Sequence, residues 1–443
     1  MAFSDNFVWG AATASFQIEG GYAYRGENIW DLFCRTPDKV AFGHDGKVAC
    51  DHYYRFLDDV AIMKELGLKA YRFSISWPRL LDVNTGELRD EGVRFYNALI
   101  DALLENGIEP YVTLFHWDLP LELHYRGGWL SPEMPAWFGY YTKKVMECFS
   151  DCVSHWFTLN EQLCFISLGY AVGEHAPGLR LSEEEVMHAV HISHLAHGEA
   201  VKAIRAYAKK PPKIGFAPVA DVKIPASNSK ADIDAARAAM FAPVSPHYWG
   251  NAVWLDPILK GAYCDELMEV FEKSRVRVTD EDMRLIGQPL DFMGMNLYHA
   301  ETVAANGRVS PCVGHEQTAM DWGVTPSGLY WGPKLYQERY GLPIYVTENG
   351  MANTDLISSD GAVHDPQRIE FLSRYLRELK RAAAEGVDIR GYFHWSLMDN
   401  FEWAWGYQRR FGLVYVDYTD QRRILKDSAH WYKRVIKNNG ADL

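Results

Sequence analysis

Cysteine is scarce in this chain: there are seven in 443 residues, an odd number, with no CxxC pair and no Cys/His spacing that suits zinc. This excludes a disulfide scaffold and points to free thiols in a reducing compartment, so a cytoplasmic location is expected. Cys148 and Cys152, four apart in a helical stretch, read as core thiols. Positive charge is short as well. Lysine and arginine number 45 against 58 aspartates and glutamates, a net charge of −13, which argues against nucleic acid or an anionic membrane as a partner. Long apolar runs are missing: the charge-free stretch 238–255 is broken by Pro243, Pro246, His247, Gly250 and Asn251, so no segment can span a bilayer. The opening MAFSDNFVWG has no basic n-region and no apolar h-region, so no secretory signal is expected. Low-complexity tracts, internal repeats and Pro/Ser-rich linkers are absent too, so nothing marks a domain boundary.

Aromatic residues, by contrast, are plentiful at 14%. Several tryptophans sit beside histidines or carboxylates, as in His116-Trp117, His155-Trp156, His394-Trp395 and Glu402-Trp403. Such faces and edges suit a ligand that is apolar on one side and hydroxylated at its rim, although large barrels bury aromatics in any case.

Short apolar runs alternate with amphipathic helical stretches along the whole chain. The β-like runs are 7–14, 69–77, 110–117, 155–160, 213–219, 290–296, 343–348 and 390–396. Helical patterns such as DHYYRFLDDVAIMKELGL and VRFYNALIDALLENGI stop at glycines 67, 107 and 386. Eight such units predict an α/β fold, a single (β/α)₈ TIM barrel with long βα loops, formed by residues 1–443 as one catalytic domain. A doubly wound sheet is the alternative, but no Gly-rich phosphate loop follows the first strand.

A barrel carries its chemistry at the C-terminal ends of its strands. Those ends hold Arg72, His116-Trp117, Asn160-Glu161, Asn296 with Tyr298, Glu348-Asn349 and Trp395. A lone strand-end glutamate is commonly a salt-bridged rim residue. Two of them, each beside an asparagine, form a pair able to break an acetal, one protonating the leaving oxygen while the other attacks carbon or activates water. Four histidines at 188, 191, 194 and 197 invite a metal reading. Residues three apart slip about 60° around a helix, however, so the four spread over half its circumference and no metal site is expected. The stretch LRLSEEEV at 179–186 reads as a solvated helix start.

With these segments in view the chain resembles glycoside hydrolase family 1, the retaining β-glucosidases and their relatives. The matching segments are FVWGAATASFQIEG at 7–20, YRFSISWPR at 71–79, TLFHWDLP at 113–120, TLNEQ at 158–162, HLAHGEAV at 194–201, DFMGMNLY at 291–298, PIYVTENG at 343–350 and GYFHWSLMDNFEWAWGYQRRFGLVYVD at 391–417. The resemblance implies Glu161 as acid/base and Glu348 as nucleophile, with Arg72, Tyr298 and Asn296 holding and tuning the nucleophile. It implies a sugar subsite lined by Gln17, His116, Trp117, Asn160, Trp395, Glu402, Trp403 and Trp322, no metal, no cofactor, and a cis peptide at Trp395–Ser396. Two positions depart from the family pattern: Gln162 stands where proline usually follows the acid/base, which frees an N–H, and Leu297 replaces a common aromatic.

The physical roles follow from charge. Arg72 and a Tyr298 hydroxyl bond lower the pKa of Glu348, and the charge of Glu348 in a dry pocket raises that of Glu161. A carboxylate at Glu402 disfavours 6-phosphorylated sugars, leaving Arg409 and Arg410 as structural cations. The expected partner is a small glycoside or short oligosaccharide, with terminal β-glucosides first and β-galactosides and β-fucosides beside them; a homo-oligomer is compatible with the sequence. Two other readings remain open: a transglycosylase that passes the sugar to alcohol or sugar acceptors, and a non-catalytic sugar-binding protein.

Overall fold

The computed structural model describes residues 3–443. Eight strands form its centre: β1 Val8–Ala12, β2 Ala70–Ser74, β3 Glu109–Phe115, β4 His155–Asn160, β5 Lys213–Ala217, β6 Met293–Asn296, β7 Ile344–Asn349 and β8 Ile389–Trp395. All pairings among them are parallel, in the order β5-β4-β3-β2-β1-β8-β7-β6. The remaining seam is spanned by bonds from Asp291 N to Ile214 O (2.8 Å), Asn296 N to Pro218 O (3.0 Å) and Ala220 N to Asn296 O (2.8 Å). The sheet is thus a nearly closed barrel with helices between its strands, as the alternating pattern predicts.

Each strand falls on its expected run, with ends shifted by a few residues. The runs were visible because barrel strands are covered on both faces and so read as continuous apolar segments. Helix stops also follow local chemistry. The helix His52–Leu66 ends on Gly67 in the left-handed conformation (φ 77°). LRLSEEEV contains the capping box of the 25-residue helix Glu183–Tyr207: Ser182 Oγ accepts from Glu185 N, and Glu185 Oε2 accepts from Ser182 N. The four histidines of that helix meet three different partners. His191 and His194 meet the Tyr263 hydroxyl, His197 meets Thr158 Oγ1, and His188 meets Leu130 O.

The barrel is filled unevenly. Tyr111, Phe157, Phe292, Tyr345 and Phe393 pack together inside it. Arg72 lies over the Phe157 ring, 5.1 Å from its centroid, while alanines 12, 14, 70 and 217 keep the same cluster small elsewhere. Gly350, just after β7, permits the approach of β8: a Cβ there would lie 1.9 Å from Trp395 O. Among the described residues, no helix is long and apolar enough to cross a membrane.

Candidate active site

The ends of β2, β4, β6 and β7 place four polar side chains in direct contact. Arg72 Nη1 donates to Glu348 Oε1 at 2.6 Å, and Arg72 Nη2 donates to Asn160 Oδ1 at 2.6 Å. The Tyr298 hydroxyl donates to the other Glu348 oxygen at 2.7 Å. Asn296 Nδ2 reaches Asn160 Oδ1 (3.0 Å) and Glu161 Oε1 (2.9 Å). Both glutamates are buried, 7% and 3% exposed for Glu161 and Glu348, so their charges act through little water.

Burial, and then the Glu348 charge, push Glu161 up to about 8. Glu348 is raised as well, which corrects the expectation of a net lowering. Arg72 and Tyr298 do pull it down, but desolvation outweighs them. Two donors clamp Glu348, one of them a guanidinium, whereas Glu161 receives an amide. The donor set therefore favours the charged form at Glu348 over Glu161.

The backbone is unusual where the side chains must turn inward. Glu161 (φ 51°), Trp117 (φ 77°) and Trp403 (φ 50°) are non-glycine residues in the left-handed region, a costly conformation that clusters at functional sites. The Trp395–Ser396 peptide is cis. Trp117 Nε1 donates to Asn160 O at 3.0 Å, which ties the peptide just before Glu161. Glu161 N is itself anchored on Ala217 O (2.8 Å). Gln162 begins the following helical turn, where a backbone N–H lacks an intrahelical partner whichever residue is present. Its side chain donates to Ser193 Oγ at 3.1 Å.

Aromatic rings line one wall. His116 stacks on Trp395 (5.7 Å) and Trp403 (6.0 Å), and Trp117 packs 4.5 Å from Trp403. Burial keeps the His116 imidazole well below its ordinary pKa, hence neutral, with Nε2 3.2 Å from Asn160 Nδ2. Trp322 lies against Tyr298 (5.2 Å) and Phe411 (6.2 Å). On another side Gln17 Nε2 donates to Asn400 Oδ1 (3.0 Å) and Phe401 O (2.8 Å). Gln17 Oε1 and Glu402 Oε2 are buried without a partner. Groups of this kind are costly unless something fills their valences. Burial, Glu348 and Glu161 raise Glu402 to about 8. The plain carboxylate expected at this position is therefore mostly a neutral acid at pH 7.

All thirteen residues expected at the site lie at this end of the barrel. Arg410 is a structural cation, donating to Asp399 at 2.6 Å, and Arg409 stacks over Trp405 at 4.2 Å. Thr347 and Asn400 escaped the sequence reading, though both lie inside matched segments. Among the described residues no group of three or more His, Cys, Asp or Glu is arranged to hold a metal ion.

An aromatic-walled pocket holding two unequal carboxylates above a parallel barrel defines a glycosidase site. Residues 1–441 match the family model for glycosyl hydrolase family 1, and the chain belongs to that family. It is 43% identical to the 1,4-beta-D-glucan glucohydrolase of Thermotoga neapolitana, an alignment that covers 99% of each chain. It is 40% identical to a bifunctional beta-D-glucosidase/beta-D-fucosidase of Bifidobacterium breve, over 100% of this chain and 99% of that one. Among solved structures, the beta-glucosidase from Thermotoga maritima in complex with glucoimidazole superposes with a TM-score of 0.90 at 43% identity, covering 99% of both chains.

Proposed function

We propose that this glycosyl hydrolase removes terminal β-D-glucosyl units from small glycosides and short β-glucans, accepts β-fucosides and β-galactosides as secondary substrates, and retains anomeric configuration. The observation that carries this reading is the inequality of the two carboxylates. Glu348 is clamped by the Arg72 guanidinium and the Tyr298 hydroxyl, which favour its charged form, while Glu161 receives the Asn296 amide and is raised to about 8. That is the division of labour a double displacement requires.

In the first step a Glu348 oxygen bonds to the anomeric carbon as the glycosidic C–O bond breaks. The departing oxygen takes the Glu161 proton. Esterified, Glu348 no longer repels a charge on Glu161, whose pKa falls. Glu161 then removes a proton from water as the water oxygen attacks the same carbon, and Glu348 leaves as a carboxylate. Asn160 Nδ2 would bond the sugar 2-hydroxyl, which counts most as oxocarbenium character develops. Gln17 and Glu402 would meet hydroxyls on the far side of the ring, with Trp395 beneath it. The seven free thiols support a reducing, cytoplasmic setting.

Proton NMR of the first sugar released from an aryl β-glucoside tests the stereochemistry, with β-glucose expected before mutarotation. Release of α-glucose first would overturn it. A panel of aryl glucosides, fucosides, galactosides and cello-oligosaccharides tests the substrate order.

A further inference from the structure

Thr347 precedes Glu348, and neighbours on an ideal strand face opposite sides. Here Val346 pairs with Met295 and Glu348 with Asn296, so Thr347 is the extra residue of a β-bulge. The bulge turns the fully buried Thr347 side chain to Asn296, and its hydroxyl lies 2.6 Å from Asn296 Oδ1.

The direction of this contact can be deduced from the far end of the network. Arg72 has no acceptor, so the oxygen it meets at 2.6 Å is Asn160 Oδ1. That oxygen also lies 3.0 Å from the Asn296 amide, which must therefore present Nδ2. The opposite face of the Asn296 amide is then an oxygen, and the Thr347 hydroxyl donates to it. With both ends held, Nδ2 is aimed at Glu161 Oε1 as well, at 2.9 Å.

We propose that Thr347 is a positioning residue whose hydroxyl locks the Asn296 amide, so that Glu161 faces an N–H donor and never the amide oxygen. The proposal rests on Glu161 being the acid/base. Other charged or titratable groups face the Glu161 carboxyl: Glu348 from β7, Arg72 from β2, the Cys164 thiol from the helical turn that follows, and Glu402 and Tyr298 across the pocket. The carboxyls and the guanidinium do not change polarity by rotation, the Tyr298 hydroxyl is committed to Glu348, and the Cys164 thiol is a weak partner whichever way it turns. The Asn296 amide exchanges a strong donor for a strong acceptor by a half turn about its last bond.

A donor stabilises ionised Glu161 and holds its pKa down against burial. With the hydroxyl gone, Asn160 Oδ1 alone resists the half turn, so the amide is held at one end only and its donor supports ionised Glu161 less. The test measures kcat/KM against pH, from about pH 5 to 10, on an alkyl β-glucoside, whose departure needs the proton. In Thr347→Val the basic limb is expected to move up by about one pH unit, the scale of one hydrogen bond to an ionised group. Thr347→Ser, which keeps the hydroxyl, should return it to the native position. Thr347→Ala removes the hydroxyl without adding bulk and carries the same expectation if the valine variant does not fold. In an Asn296→Ala background, Thr347→Val should add no further shift. A basic limb that moves by less than about 0.3 unit in a folded hydroxyl-free variant overturns the proposal, and so does failure of serine to restore it. Glu161→Gln separates the two readings: if the basic limb persists in that variant, the acid/base assignment fails rather than the lock.

Discussion

Replacing Glu161 with alanine should divide substrates by how much they need a proton. Burial and the Glu348 charge raise Glu161 to about 8, so at pH 7 it is mostly protonated where an ordinary carboxyl would be almost wholly ionised. General acid assistance is worth about 10² to 10⁴ in rate, or about 3–5 kcal/mol of barrier. The variant should lose that much on methyl or cellobiosyl leaving groups, measured as kcat/KM at pH 6. On an acidic nitrophenol, which departs as the anion, the first step should change little and the glycosyl-enzyme should accumulate, because no base activates water. Azide then provides the stereochemical check. It should rescue Glu161→Ala by attacking from the face water uses, giving the β-glycosyl azide. In Glu348→Ala it must take the place of the nucleophile and give the α-azide. Equal losses on good and poor leaving groups would refute proton donation by Glu161. The reverse pairing of azide anomers would mean that the two roles are exchanged.

The remaining predictions are narrower. In a crystal structure the carboxyl groups of Glu161 and Glu348 should lie about 5–5.5 Å apart; about 8 Å or more would indicate inversion. Glu402→Ala should lower kcat/KM on glucosides by about 2- to 10-fold for each hydroxyl bond lost, the scale of a neutral hydrogen bond, while the melting temperature holds or rises, because an unpartnered buried oxygen is removed; unchanged activity would place Glu402 outside the subsite. Asp118 is raised to about 7 by burial, although Ser15 Oγ donates to it at 3.0 Å. Its contribution to stability is full below the unfolded value near 3.8 and lost as pH rises through about 7. Asp118→Asn should therefore melt higher relative to the native protein at pH 9 than at pH 5, and an equal difference at both would remove this account. Lys426 is fully buried between Asp399 Oδ1 (2.6 Å) and Asp355. Lys426→Met should cost about 1–3 kcal/mol in urea unfolding by leaving one buried oxygen of each aspartate without its lysine donor, since Arg410 still pairs with Asp399 and Arg368 with Asp355; a loss under about 0.5 kcal/mol would show that those arginines carry the cluster alone.

What the sequence made legible and what it hid differ in physical kind. β4 could be read as His155–Asn160 because a strand covered on both faces leaves an apolar run, and its end put Glu161 on the rim by topology alone. Arg72, Tyr298 and Glu402 could be read through matched segments. Hidden were the features that depend on how two segments meet. The bulge at Thr347 is a register relation between β6 and β7, and VTEN shows no trace of it. The left-handed backbone at Glu161, Trp117 and Trp403 carries no glycine or asparagine to announce it; tertiary contacts such as Trp117 Nε1 on Asn160 O impose it. The raised pKa of Glu348 is hidden for the same reason, since neighbouring charges can be read from motifs while the depth of burial that outweighs them cannot. Gln162 shows the converse. A local rule, proline's missing N–H, suggested looser backbone, but a helix's first N–H lacks an intrahelical partner in any case. The distant Ser193 holds the side chain.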